Sequence, residues 1–445
     1  MTGDARRTRR TLRPGFALQQ GARAFRHRSY RLFFGGQLVS LVGTWMQSVA
    51  QAWLVLQLTR DPFLLGLTAA VQFLPVMILG LFGGLIADAL PKRTILIATQ
   101  TSQMLLAFIL FGLTQAGVVE VWHILLLAVL LGVTNAVDMP TRQAFAVEMV
   151  GREDVQNAVA LNSAMFNGAR IVGPAVAGIA IGVFGIAIAF LLNGLSFLAV
   201  IVAYAVMRDD ELHSPARYDR PTTVRAVGET LAEGLRYVRR SQMLLLPIAI
   251  IGLASTFGMN FSVVIPALAD DVLRTDATGF GFLMAATGVG SMIAALLIAF
   301  SSSVRPILIG LGALLLGAGL IAAGLIHAFV PALLAMAVIG FGAIGMAATA
   351  NTTIQLHVED RYRGRVMSVY TTVFAGSTPI GGLFAGSLAS TYSVDVSLLV
   401  AGVLCVATGL GAIAWLQRIR ARGIPPILAP EAVGGPVPSR GPAGR

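Results

Sequence analysis

Four charged residues lie inside or at the edge of long apolar stretches: Asp88, Asp138, Arg142 and Arg170. A charge in such surroundings is expensive and marks an ion pair, a proton carrier or a ligand contact. Asp138 and Arg142 are one helical turn apart, with Pro140 between them, so their side chains can meet on one helix face. Asp138 is the deepest acid and could carry a proton, because desolvation disfavours its charged form. An ion pair with Arg142 or Arg170 is the favoured reading. Arg170 sits in mid-stretch, where an arginine costs roughly 2.5–3.5 kcal/mol to insert. It shares a face with Asn162, Phe166 and Pro174. Two roles are open for it: a gate or anion-binding group facing a cavity, or a structural arginine capping freed carbonyls or a neighbour's glutamines. Asp88 lies in a break over 83–93, Gly-Gly-Leu-Ile-Ala-Asp-Ala-Leu-Pro-Lys-Arg. There Pro91 forbids a continuous helix, and Lys92 and Arg93 follow.

Uncharged polar residues form a second set. Ser40, Thr44, Gln47 and Gln51 recur every three to four residues, which puts them on one helix face. Such a stripe lines a cavity or bonds to a neighbouring helix. Asn260 and Asn351 stand alone in apolar stretches and are further candidates for a cavity lining; they, like Gln72 and Asn193, could equally form packing hydrogen bonds. Little of this supports bond-making chemistry. No Gly-x-x-x-x-Gly-Lys-Ser/Thr loop is present, which argues against nucleotide-driven work. Cys405 is the single cysteine, so the chain cannot hold an internal disulfide or a cysteine-based metal site. His123 and His327 lack metal-like spacing. Neither an enzyme, a cofactor nor a bound metal is expected.

The elements that position these residues are membrane helices. Of 445 residues, 56% are hydrophobic and 12% charged, and the mean hydropathy is +0.79. Soluble domains carry about 25% charged residues, so this is an integral membrane protein. Hydrocarbon needs about 20 apolar residues per helix. That length predicts twelve spans: 33–58, 63–87, 94–115, 121–138, 161–183, 186–207, 244–269, 280–300, 306–327, 329–351, 366–389 and 396–416. All must be helical, because lipid satisfies no backbone groups. The fourth is short and could extend into 141–147.

The net charge of +11 is spent on topology rather than on nucleic acid. With both termini inside, Arg60 and Arg274 are the only outer cations, and Arg170 alone lies within a span. Every other Lys and Arg is on the inner side, as cytoplasmic segments require. Five regions follow: a basic arm over 1–32, which can contact anionic lipid; six spans over 33–207; a charged central loop over 208–243; six spans over 244–417; and a Pro- and Gly-rich tail over 418–445. Residues 230–240 are expected to lie as an amphipathic helix on the inner leaflet.

Several segments carry a family resemblance. The 83–93 break resembles the loop after the second span of the major facilitator superfamily, Gly-x-Leu-Ala-Asp-Arg-x-Gly-Arg-Lys. Gly84, Ala87, Asp88, Lys92 and Arg93 match, while Ala89 and Pro91 depart. Added to it are Arg-Ser-Tyr-Arg-Leu-Phe-Phe-Gly-Gly-Gln from Arg28, Asp-Met-Pro-Thr-Arg-Gln-Ala-Phe from Asp138, Asn-Gly-Ala-Arg-Ile-Val-Gly-Pro from Asn167, and Arg-Gly-Arg-Val-Met-Ser from Arg363. Together these are similar to the bacterial branch that includes the enterobactin exporter and macrolide-efflux proteins.

The resemblance implies an all-α fold of two six-helix halves around a mid-bilayer cavity that opens alternately to each side. It implies export of a small organic molecule, such as a siderophore, macrolide or other amphiphile, driven by the proton gradient. The setting would be a bacterial plasma membrane, with the chain a monomer and no nucleic acid partner. The first span would line the cavity. Gly168, Gly173, Pro174 and Gly178 resemble the Gly-Pro motif of antiporters and exporters, in which proline bends the helix. Asp88 would contact the start of the eleventh helix, near Gly364 and Arg365, a contact worth about 0.3–1 kcal/mol. The alternative is a receptor or scaffold on the same fold, which would not need the polar stripe.

Overall fold

The computed structural model describes residues 23–213, 224–301 and 305–421. Most of the N-terminal arm, part of the central loop and nearly all of the tail lie outside them. The helices are α1 (Arg28–Thr59), α2 (Pro62–Ala89), α3 (Lys92–Gln115), α4 (Val121–Phe184), α5 (Ala187–Val206), α6 (Val224–Arg240), α7 (Gln242–Gly258), α8 (Phe261–Ala267), α9 (Ala277–Ala299), α10 (Ile307–Leu325), α11 (Phe329–His357), α12 (Arg363–Thr391) and α13 (Val394–Ala421). Local chemistry sets many of the ends. Asp61 accepts a hydrogen bond from the Phe63 amide at 2.9 Å beside Pro62 at the start of α2. Asp276 accepts from the Thr278 and Gly279 amides at the start of α9. These are N-caps for orphan donors.

α4 has 64 residues and would reach roughly 96 Å as one helix at 1.5 Å per residue. That is about three times the hydrocarbon thickness, so it must turn. Gly151 supplies the turn with φ 70° and ψ 175°, a conformation cheap only for glycine. It divides α4 into α4a (121–150) and α4b (152–184). The predicted fourth span, 121–138, left room to extend into 141–147. The helix does continue through Pro140, and as far as the Gly151 turn, because the extension buries Phe145, Met149 and Val150. Phe145 packs edge-on to Tyr204 at 5.9 Å.

Ten helices among the described residues are long and apolar enough to cross a membrane, with α4 as one and α7 joined to α8 as another. Their outward faces carry exposed Leu, Val, Ile and Phe, as lipid contact requires. α1–α5 pack on one another as one group, and α7–α13 as a second. The groups meet mainly along two seams, α2 against α12 and α4b against α9. Glycines make these seams close. A Cβ at Gly66 of α2 would collide with the Gly382 carbonyl of α12, and one at Gly281 of α9 with the Pro174 carbonyl of α4b. Small residues of this kind let membrane helices approach backbone to backbone.

The helix expected over 230–240 is present and longer, starting at Val224, and α6 packs one face on the protein. Val238 is fully buried, and a Cβ at Gly234 would stand 2.6 Å from the Arg365 carbonyl. The missing side chain lets α6 pack on the first turn of α12.

Candidate functional site

A cavity of about 440 Å³ lies between the two groups. α1 contributes Thr44, Trp45, Gln47, Ser48 and Gln51; α2 adds Thr68, Gln72 and Phe73; Gln103, Asn135, Arg170 and Asn193 join them, with apolar residues such as Leu65, Leu131 and Phe197 between. The other group supplies Phe261, Ser262, Phe280, Met284, Thr287, Phe374 and Thr378. One wall is therefore amide-rich and the other aromatic and apolar. The amides are partly ordered by each other. Asn193 donates to Gln47 at 2.6 Å, and Gln103 donates to Asn135 at 3.2 Å. On the apolar wall, the helix breaks at Met259 and Asn260 between α7 and α8, and Met259 and Phe261 line the cavity at that break.

The predicted stripe divides. Thr44, Gln47 and Gln51 line the cavity. Ser40 does not: it lies one turn earlier, 1% exposed, and its carbonyl accepts the Thr44 hydroxyl at 2.8 Å. Asn260 and Asn351 also fall outside the lining. Asn260 closes the end of α7 by donating to the Thr256 carbonyl at 2.7 Å. Asn351 accepts from Gln355 at 2.6 Å, one turn further along α11.

Arg170 lines the cavity. Its guanidinium Nη2 donates to Asn167 Oδ1 at 3.1 Å, and Asn167 donates in turn to the Ser163 carbonyl at 2.8 Å. Its Nε is buried with no hydrogen-bond partner among the described residues. Neither the glutamine contact nor the carbonyl cap considered above is what holds it.

Asp138 is fully buried. It accepts from the Thr99 hydroxyl and from Gln100 Nε2, each at 2.8 Å, and pairs with Arg142 one turn on. Arg170 takes no part. The pair staples α4a to α3 inside one helix group and does not line the cavity, so neither residue bridges the groups here.

At the 83–93 break, Lys92 pairs with Glu148 of α4a at 2.7 Å. Arg93 donates to the Tyr204 and Ala205 carbonyls and pairs with Asp209 at 2.9 Å. The Asp88 side chain lies outside the described residues. Gly84 and Gly364 have open space where a Cβ would stand. Arg365 pairs with Glu233 of α6 at 3.0 Å. In the Gly-Pro motif, a Cβ at Gly173 would meet Trp45 of α1 at 2.5 Å, and one at Gly178 the Ala277 carbonyl beside α9 at 2.9 Å, while Gly168 is open. α4b stays helical through Pro174; the non-helical backbone within α4 is at Gly151.

Gln103, Asn135, Thr68, Thr287 and Thr378 were not singled out from the sequence. Their one signal was a polar side chain in an apolar span. Glu148 and Asp209 carried no signal, since charged residues in loops are ordinary.

Two groups of membrane helices meeting around a polar cavity fit a secondary transporter of the major facilitator type. The chain belongs to the transmembrane secretion effector family of that superfamily, matching it over residues 21–423. It is 23% identical to the staphyloferrin A transporter of Staphylococcus aureus over 269 residues, which is 60% of this chain and 66% of that one, just under two thirds. It is 26% identical to the multidrug efflux pump Tap of Mycolicibacterium fortuitum over 399 residues, 86% of this chain and 94% of that one. In fold it is similar to a bacterial homologue of the human lysosomal transporter Spinster, with a TM-score of 0.69 at 12% identity, covering 91% of this chain and 99% of the other. These relatives are transporters rather than enzymes.

Proposed function

We propose that the chain exports a small amphiphilic organic molecule from a bacterial cell by alternating access, energised by the proton-motive force. The observation that carries this reading is the cavity itself, which draws walls from both helix groups and sits between two glycine-close seams. Splitting α4 at Gly151 and counting α12 allows twelve crossings, six in each half; in this reading both termini are cytoplasmic and the chain acts as a monomer. The relatives that handle staphyloferrin A or several drugs support a siderophore or drug-like substrate. Each charge moved through 100 mV is worth about 2.3 kcal/mol, ample for accumulation without a nucleotide site. At the basic end, Asp88 would close the cavity by docking on the first turn of α12 beside Gly364. Asp88→Asn should then slow transport without lowering the amount inserted.

The test is accumulation of labelled siderophores and macrolides in inverted membrane vesicles containing the protein, with pH gradient and electrical potential imposed separately. At least one compound should accumulate and leak back when a protonophore is added. Binding with no accumulation of any compound under either gradient would favour the receptor alternative.

A further inference from the structure

The cavity carries one kind of charge. Among its described lining residues, Arg170 is the only ionised side chain, and none is Asp or Glu. A cation entering this space would meet a guanidinium and find no counter-charge. An anion would find the reverse.

Arg170 is also built to receive one. The chain from the Ser163 carbonyl through Asn167 to Arg170 Nη2 orients the side chain along α4b. A guanidinium has five N–H donors, and Asn167 takes one of them. Nε is buried and unpartnered among the described residues, the state that a structural arginine avoids, since a buried unmet donor is costly. Asp138, an obvious internal partner, is instead enclosed by Thr99, Gln100 and Arg142. The position also matters. A Cβ at Gly288 of α9 would lie 3.2 Å from the Arg170 carbonyl, so this residue stands on the seam between the two helix groups. The facing wall offers Phe280 and Phe374, whose faces and edges suit a flat apolar body.

We infer that the transported molecule is an organic anion, a carboxylate or similar acid on an aromatic or apolar body, with its negative charge docked on Arg170. This rests on the transport reading above and narrows its substrate class. It separates acidic siderophore-like molecules from the cationic drugs that many efflux systems carry.

Two xanthene dyes of nearly the same shape test it: fluorescein, an anion, and rhodamine 123, a cation. Binding is measured by fluorescence anisotropy to the full chain in nanodiscs, with no gradient present. Fluorescein should bind at least tenfold more tightly than rhodamine 123. Arg170→Gln should erase that preference, and Arg170→Lys should keep most of it while losing some affinity, because lysine retains the charge without the forked geometry. A melting curve for each variant shows that it is folded. Equal binding of the dyes, tighter binding of rhodamine 123, binding of neither, or a preference that survives in folded Arg170→Gln would overturn the proposal. The transport reading fails separately. Arg170-dependent binding of fluorescein without movement of any compound across vesicles would sink export and keep the anion site. Outward movement of rhodamine 123 unaffected by Arg170→Gln would do the opposite.

Discussion

The two ends of the helix bundle are held by different chemistry. At the end bearing Arg60 and Arg274, backbone meets backbone between the groups: Gly66 against Gly382, Gly386 against Pro62, Gly178 against Ala277. At the end bearing Lys92 and Arg93, ion pairs dominate: Lys92 with Glu148, Arg93 with Asp209, Arg28 with Glu211, and Arg365 with Glu233. Each of these pairs joins elements of the same group or of its flanking loop. Close packing acts only at contact range, so the first end is a seam that is either shut or parted. The ion pairs, lying within a group or its flanking loop, do not glue one group to the other. Stiff units hinged at a seam are what a rocking mechanism needs.

The largest effect should come from the staple inside one unit. Asp138→Ala leaves Arg142 without its carboxylate and strands Thr99 and Gln100. Breaking a buried pair in this way costs about 3–5 kcal/mol, and the partial exposure of Arg142 points to the lower figure. Denaturation in detergent reads it, and Asp138→Asn should fall between mutant and wild type. A loss under about 1 kcal/mol would show that the staple is dispensable.

A smaller loss is expected at the seam. Gly66→Val drives a side chain into the Gly382 backbone, and such overpacking costs about 1–3 kcal/mol. The groups should part there. A cysteine at Thr378, in a Cys405→Ser background, should then react faster with an impermeant maleimide added from the Arg60 side. Unchanged labelling would mean that the seam has slack.

Neighbouring glycines at the basic end sharpen the contrast. A Cβ at Gly83 would collide with the Ala136 carbonyl of α4a, whereas one at Gly84 meets open space. Gly83→Ala should destabilise by about 1–3 kcal/mol. Gly84→Ala should leave melting unchanged or slightly raised, since alanine is the better helix former. If the basic end closes between groups during the cycle, Gly84→Ala should still slow transport. Normal rates would place Gly84 outside that closure. The smallest effect belongs to Glu233→Gln. Both side chains of its pair with Arg365 are about two-fifths exposed, so about 0.2–1 kcal/mol is expected. A much larger drop in melting would show that α6 is integral to the second unit.

Much of the fold was legible because its causes are local. The apolar runs located most of the helices, although α4b begins at 152 rather than 161 and α11 runs on to His357 rather than 351. The caps at Asp61 and Asp276 were not read from the sequence, although they act through amides only two or three residues away. Helical spacing allowed an Asp138–Arg142 pair but left Arg170 open as the partner; the structure pairs Asp138 with Arg142. An extension of the fourth span past Asp138 was open in the sequence, but its end at Gly151 was not legible, since the burial that holds it involves residues such as Tyr204, distant in sequence.

The cavity was legible only in part. Thr44, Gln47, Gln51 and Arg170 were found by sequence pattern, while Ser40, Asn260 and Asn351 were misplaced and Gln103, Asn135 and Thr287 overlooked. In a span that is apolar on every face, lipid and protein interior are equally apolar, so hydrophobic periodicity does not say which way a lone polar residue points. Nor could it say that Arg93 would reach the Tyr204 carbonyl or that Arg170 would stand at a seam closed by Gly288. The sequence by itself determined which stretches form helices long and apolar enough to cross a membrane, because length and hydropathy are local properties. Only the tertiary structure decided which polar groups share the cavity, because helix rotation and neighbours set that, and close backbone contacts between residues far apart in the chain fix both.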